Sequence, residues 1–173
     1  MTDGEAIQQL MSMYTLAIDA KQWHLFERVF TADAEIDYNG GAHWNSMASF
    51  RDDFDVAHRI YDVTQHNSTN LVWHVDGDTG SAVSQAHVQL IRWGTAGGDM
   101  VTAGAWYDDE LRRTADGWRI SRRVCRVSWM SGNTGIIDGF TAADSYRPMP
   151  MSEGVENGSL GFLQRTGMTA ASR

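Results

Sequence analysis

At 173 residues, with 42% hydrophobic and 21% charged side chains, the chain has the composition of one globular domain long enough to bury a core. A formal net charge of −8 argues against nucleic acid or an anionic membrane as partner, and Arg119, Arg122, Arg123 and Arg126 lie on one strand-like run, not in a basic tail. One cysteine, Cys125, excludes an internal disulfide; the polar N-terminus and the lack of any run near ~18 apolar residues make a cytoplasmic protein the expectation.

Thr2 and Glu5 have the spacing of a capping box, and Ile7, Leu10, Met11, Tyr14 and Ile18 follow the helical period behind them. Trp23, Phe26, Val29 and Phe30 predict a second, shorter helix. Glu35–Ile36–Asp37–Tyr38 reads as a short strand ending in the turn Gly40–Gly41. Ser46 is placed to cap a third helix with Phe50, Phe54, Ala57 and Tyr61 on one face. Beyond residue 64 the pattern changes to strands near 66–75, 80–93, 100–113 and 118–130, separated by glycine turns. Three helices followed by an antiparallel meander is an α+β pattern, with helices packed on one face of the sheet.

The last two strands do not alternate cleanly. Met100 and Trp106 oppose an apolar row of Val101, Ala103, Ala105, Tyr107 and Leu111, and the fourth strand splits its apolar residues in the same way. A half-wet antiparallel sheet alternates better than this, so both faces are expected to be buried, one under the helices and the other against another subunit. Residues 1–131 then form the domain, and 132–173, rich in Gly, Ser and Met, form a tail expected to be a lid or a subunit-spanning arm, or to be partly disordered.

Leu16–Trp23 with Phe30–Ala34, Thr64–Gln65–His66, His66–Leu71 and Tyr107–Arg123 together resemble the SnoaL-like branch of the nuclear transport factor 2-like superfamily. The resemblance spans residues 5–131. It implies a cone-shaped barrel, a curved sheet wrapped around the helices with a pocket at the open end. Asp19 and His66 match the catalytic pair of the scytalone dehydratase and hexachlorocyclohexane dehydrochlorinase members. Tyr38 matches a dehydratase tyrosine that polarises a carbonyl through water, while that enzyme's other such tyrosine falls on Ile18. Arg123 matches an arginine beside the dehydrochlorinase dyad. Register with the family points His87 and Gln89 into the pocket.

The chemistry these residues offer is proton transfer. A carboxylate that accepts from one imidazole nitrogen fixes the tautomer and leaves the other nitrogen free to act as general base. Arg123 next to Asp19 would keep that carboxylate ionised and bind an anionic leaving group. Met11, Tyr14, Tyr38, Phe54 and Tyr107 would make an apolar pocket for a cyclic or aromatic, polyketide- or steroid-like substrate. A metal built from Asp19, His66 and His87 lacks the close ligand spacing of known motifs, so neither metal nor cofactor is expected. The reading is a homotrimeric dehydratase-like lyase; the alternatives are a ketosteroid-isomerase-like or cyclase activity, and a non-catalytic binding or structural subunit.

Overall fold

A computed structural model describes residues 1–137 and 147–168. Helix α1 (Asp3–Asp19) begins with the expected capping box: the Glu5 amide donates to the Thr2 hydroxyl, and the Thr2 amide donates to the Glu5 carboxylate at 2.7 Å. Its buried stripe is Ile7, Leu10, Met11, Tyr14, Ala17 and Ile18. Just past its end, Lys21 takes a left-handed φ of 51° and turns the chain. The predicted second helix shrinks to a 3-10 segment, Trp23–Arg28, because Phe30 already opens strand β1 (Phe30–Tyr38). Val29, Phe30 and Thr31 are β-branched or aromatic, which suits a pleated surface better than a last helical turn.

Asn39 and Gly40, with φ of 56° and 70°, turn β1 back into β2 (Ala42–Trp44), a short strand that the sequence pattern did not reveal. Helix α2 (Met47–His58) is capped as expected, the Ser49 amide donating to the Ser46 hydroxyl at 3.2 Å. Its buried face is Met47, Phe50, Phe54 and His58, so the stripe runs to His58 where the sequence reading took Ala57 and Tyr61. The long strands are β3 (Val63–Asp76), β4 (Thr79–Ile91), β5 (Met100–Thr114) and β6 (Gly117–Gly132).

The six strands form one sheet in the order β2-β1-β6-β5-β4-β3. The meander is antiparallel as expected, but β1 runs parallel to β6, so the sheet is mixed. It curls around α1 and α2 without closing, since β2 and β3 are its two unjoined edges. The inner face buries Ala82, Ala86, Ala105, Tyr107, Leu111 and Ile120 against the helices and the cluster Phe26, Phe30, Phe50 and Phe54.

The imperfect alternation of β5 and β6 is accounted for in part within the chain itself. Trp106 and Val124 on the outer face are covered by the chain's own C-terminal segment, through Leu160 and Phe162 with Met149, Met151 and Leu163 at the margin. That segment contains α3 (Met151–Glu156) and α4 (Phe162–Arg165). It is anchored by Asp108, whose carboxylate accepts from the Gly161 and Phe162 amides and pairs with Arg165. Of the tail expected at 132–173, residues 138–146 and 169–173 lie outside the described residues.

Candidate active site

α1 ends at Asp19 beside β3, where a carboxylate opposes the helix dipole and needs donors. β3 supplies them. The His66 amide donates to Asp19 Oδ2 at 2.8 Å, the Thr64 hydroxyl donates to Oδ1 at 2.9 Å, and His66 Nδ1 lies 2.7 Å from Oδ1. Burial pushes the Asp19 carboxyl up, but the bonds from the His66 ring and amide and from Thr64 outweigh it and hold the pKa below the ordinary value. An ionised carboxylate only accepts, so Nδ1 carries a proton, and in the neutral ring Nε2 holds the lone pair. Asp19 stands behind His66, whose ring lines a cavity between the sheet and the helices.

That cavity, about 120 Å³, is bounded by Tyr14, Tyr38, Phe54, Val88, Leu90 and Met130 among others, and is almost wholly apolar. Its polar groups are few. The Tyr14 and Tyr38 hydroxyls lie 2.5 Å apart, and burial pushes both above the ordinary phenol range, Tyr38 far above it. Two hydroxyls have two protons, and the bond between them uses one, so the pair keeps one proton to donate to a ligand. Tyr107 packs edge-on against Tyr14, ring centroids 5.8 Å apart, and also lines the cavity.

Arg123 and not Arg122 faces inward, but it does not reach the dyad. Its Nε and Nη2 donate to Asp109 at 2.7 Å each, with both side chains sealed from solvent. The guanidinium carbon sits 4.1 Å from the Tyr14 ring centroid and 4.3 Å from that of Tyr107, and Arg123 is not among the residues that line the cavity. Arg123 therefore supports the tyrosines by cation–π contact and is not placed to touch a leaving group. Arg122 points outward to Glu110.

Tyr14, Tyr38, Phe54, His66 and Tyr107 thus share one cavity. Met11 does not line it; it is buried in the core, its sulfur 3.5 Å from Arg123 Nη2. His87 and Gln89 do not either: Val88 and Leu90 face the cavity, so their neighbours point to the outer face, where His87 meets Trp129. Sequence reasoning missed His58, Tyr61, Leu90, Cys125 and Ile137. The Cys125 thiol is inert, pushed up to about 12 by burial. His58 was legible in principle, as the next step of the Met47, Phe50, Phe54 stripe. Among the described residues, no three or more His, Cys, Asp or Glu side chains gather as a metal would require, and no helix is long and apolar enough to cross a membrane.

A family model for the SnoaL-like domain matches residues 1–124. An uncharacterized protein of Mycobacterium tuberculosis is 35% identical over 125 residues, which cover 72% of this chain and 84% of that protein. A protein of Kribbella flavida superposes with a TM-score of 0.73 at 24% identity, over 78% of this chain and 96% of the other. A type 2 hexachlorocyclohexane dehydrochlorinase gives a TM-score of 0.67 at 21% identity, over 76% and 88% of the two chains. At these identities the structural likeness concerns the fold. The match to the domain model over most of the chain, with the curled sheet and helices in the same arrangement, makes this protein a member of the SnoaL-like domain family.

Proposed function

We propose that this is a cytoplasmic, cofactor-independent lyase that carries out a dehydratase-type elimination on a small cyclic substrate. The observation that carries the reading is the Asp19–His66 pair at 2.7 Å, with His66 lining an apolar cavity that is also lined by the hydrogen-bonded Tyr14 and Tyr38. His66 Nε2 takes a proton from the carbon next to a ring carbonyl, and Asp19 stabilises the imidazolium that forms. The free tyrosine proton bonds to the carbonyl oxygen as it gains charge. The imidazolium then returns its proton to a departing hydroxyl, so water leaves and the double bond forms. Likeness to a dehydrochlorinase, which by its name removes hydrogen chloride, is consistent with elimination on this fold. A cavity of about 120 Å³ suits a single ring, since an apolar cavity of ~150 Å³ binds benzene; a larger polycycle would project through the mouth.

A second reading has its own support. A base facing a hydroxyl pair needs no leaving group, and proton return to another carbon would make the protein an isomerase. A cyclic β-hydroxyketone incubated in D₂O separates the two. Loss of one water from the ketone supports the lyase; deuterium uptake or double-bond migration without mass loss sinks it in favour of isomerisation. His66→Ala should lower turnover ~10²–10⁴-fold. No change in turnover for either His66→Ala or Asp19→Asn would favour a non-catalytic binding subunit. The proposal includes a homotrimer, supported by the exposed Trp93, Met100 and Trp129, and sedimentation at the mass of one chain would remove that part.

A further inference from the structure

His58 is a second imidazole on the same cavity, and it has no part in the dyad chemistry. It is the last residue of α2, buried among Trp23, Phe54 and Tyr61, with its ring centroid 6.2 Å from that of His66. Its Nδ1 lies 2.8 Å from the Phe54 carbonyl oxygen. A carbonyl oxygen has no proton to give, so Nδ1 must be the donor, and the tautomer follows from geometry. Nε2 has no protein partner among the described residues, yet it is not one of the polar atoms sealed in the core. His58 lines the cavity, and with Nδ1 committed to the Phe54 carbonyl the lone pair of Nε2 is the polar feature it has to offer a ligand.

The surroundings keep that lone pair free of a proton. Burial is the largest influence, and the nearby His66 and Lys21 act in the same direction; the bond to the Phe54 carbonyl and the charge of Asp19 oppose them but are outweighed, and the His58 pKa falls to about 4. Tyr61, also against the ring, stays protonated, its pKa pushed up to about 12 by burial. An acceptor without a partner in an apolar cavity favours a ligand that brings a donor, because a buried polar group left unpaired is costly.

We propose that His58 is a specificity-determining residue, whose Nε2 accepts a hydrogen bond from a hydroxyl on the ring of the substrate. It follows, on the reading that His66 is the base, that the substrate is a hydroxylated cyclic compound. A neutral acceptor cannot protonate a leaving group. The hydroxyl held by His58 is therefore distinct from the one expelled, and it remains on the product.

The test is binding, so it does not depend on turnover. The probes are para-fluorophenol and para-fluorotoluene, which differ by a hydroxyl in place of a methyl of nearly equal size, titrated by ¹⁹F NMR into the full chain. The wild type should prefer the phenol about fivefold to tenfold. His58→Phe should bring the two probes within about twofold by weakening phenol binding alone, para-fluorotoluene binding serving as the control for an intact cavity. His66→Phe should keep the preference. No preference in the wild type, a preference that survives His58→Phe, or one lost only in His66→Phe would each overturn the proposal. Long-range ¹H–¹⁵N spectra of histidine-labelled wild type add a check free of mutation: one ring should show the Nδ1–H tautomer and not titrate across about pH 5–8. A pattern in which no ring does so would also overturn it. Failure here leaves the lyase reading open to its own D₂O test.

Discussion

Asp108 and Asp109 are neighbours on β5, yet they serve opposite faces of the sheet. Asp109 points inward and is held in a two-pronged pair by Arg123, which comes from the adjacent strand β6 through the strand register. Asp108 points outward and is held by Arg165 and two backbone amides, all contributed by the C-terminal segment. The inner pair props the tyrosines that form the cavity wall; the outer pair fastens the tail over Trp106 and Val124. Two similar ion pairs thus have different jobs, decided by strand parity and by the origin of the arginine. Asp19, partly exposed at the end of α1, is a third acidic group with donors to match, supplied by β3.

The contrast can be broken by substitution. Asp109→Asn leaves Arg123 buried without its counter-charge and should cost about 3–5 kcal/mol in urea unfolding, together with loss of probe binding in the cavity. A cost under about 1 kcal/mol would mean that the inner pair supports nothing. Next in size is a pH effect confined to the inner side. The folded pKa of His58 lies near 4, below its ordinary 6.5, so the unfolded chain takes up the proton first. Stability should therefore be full above pH 6.5 and fall by about 3 kcal/mol as pH drops towards 4, and His58→Phe should remove that part of the slope.

On the outer side, Arg165→Ala should cost about 1–3 kcal/mol, because Asp108 keeps its two amide donors. Limited proteolysis should then cut within 147–168 while the sheet domain survives; a cut in β3 or β4 instead would erase the distinction between the two faces. The smallest effect is expected at Asp19. Its folded pKa lies below the ordinary 3.8, so its contribution is present above that value and is lost as pH falls through the folded pKa. Asp19→Asn should cost about 1 kcal/mol at neutral pH, and the gap from wild type should close in stronger acid.

Much of this was legible in the sequence. The capping box at Thr2 and Glu5, the stripe of α1 and the four long strands followed from periodicity, and the Asp19–His66 pair from family resemblance together with helix and strand position. The errors came from parity and from partners distant in sequence. A one-residue shift of phase exchanges the faces of a strand, so His87 and Gln89 were expected where Val88 and Leu90 lie. The alternation of Gln85, His87 and Gln89 with Ala86, Val88 and Leu90 already had the right phase. Which of Arg122 and Arg123 turns inward, and that Asp109 is the partner, both depend on the β5–β6 register, which no local pattern displays. The docking of the tail was out of reach for the same reason: Leu160 and Phe162 follow no period that reveals a sheet face.

The parallel junction between β1 and β6 has a consequence for how the protein folds. Tyr38 on β1 sits opposite Cys125 on β6, whereas β3 to β6 are joined by short turns. Closing so long a loop costs more entropy than zipping the meander, so the meander should form first and β1 should dock late. Cavity-forming substitutions in β1, such as Ile36→Val, should then accelerate unfolding and leave the refolding rate nearly unchanged, whereas Ile120→Val in β6 should slow refolding. The tyrosine pair that completes the cavity joins α1 to that late strand, so the site would be assembled only in the last step of folding.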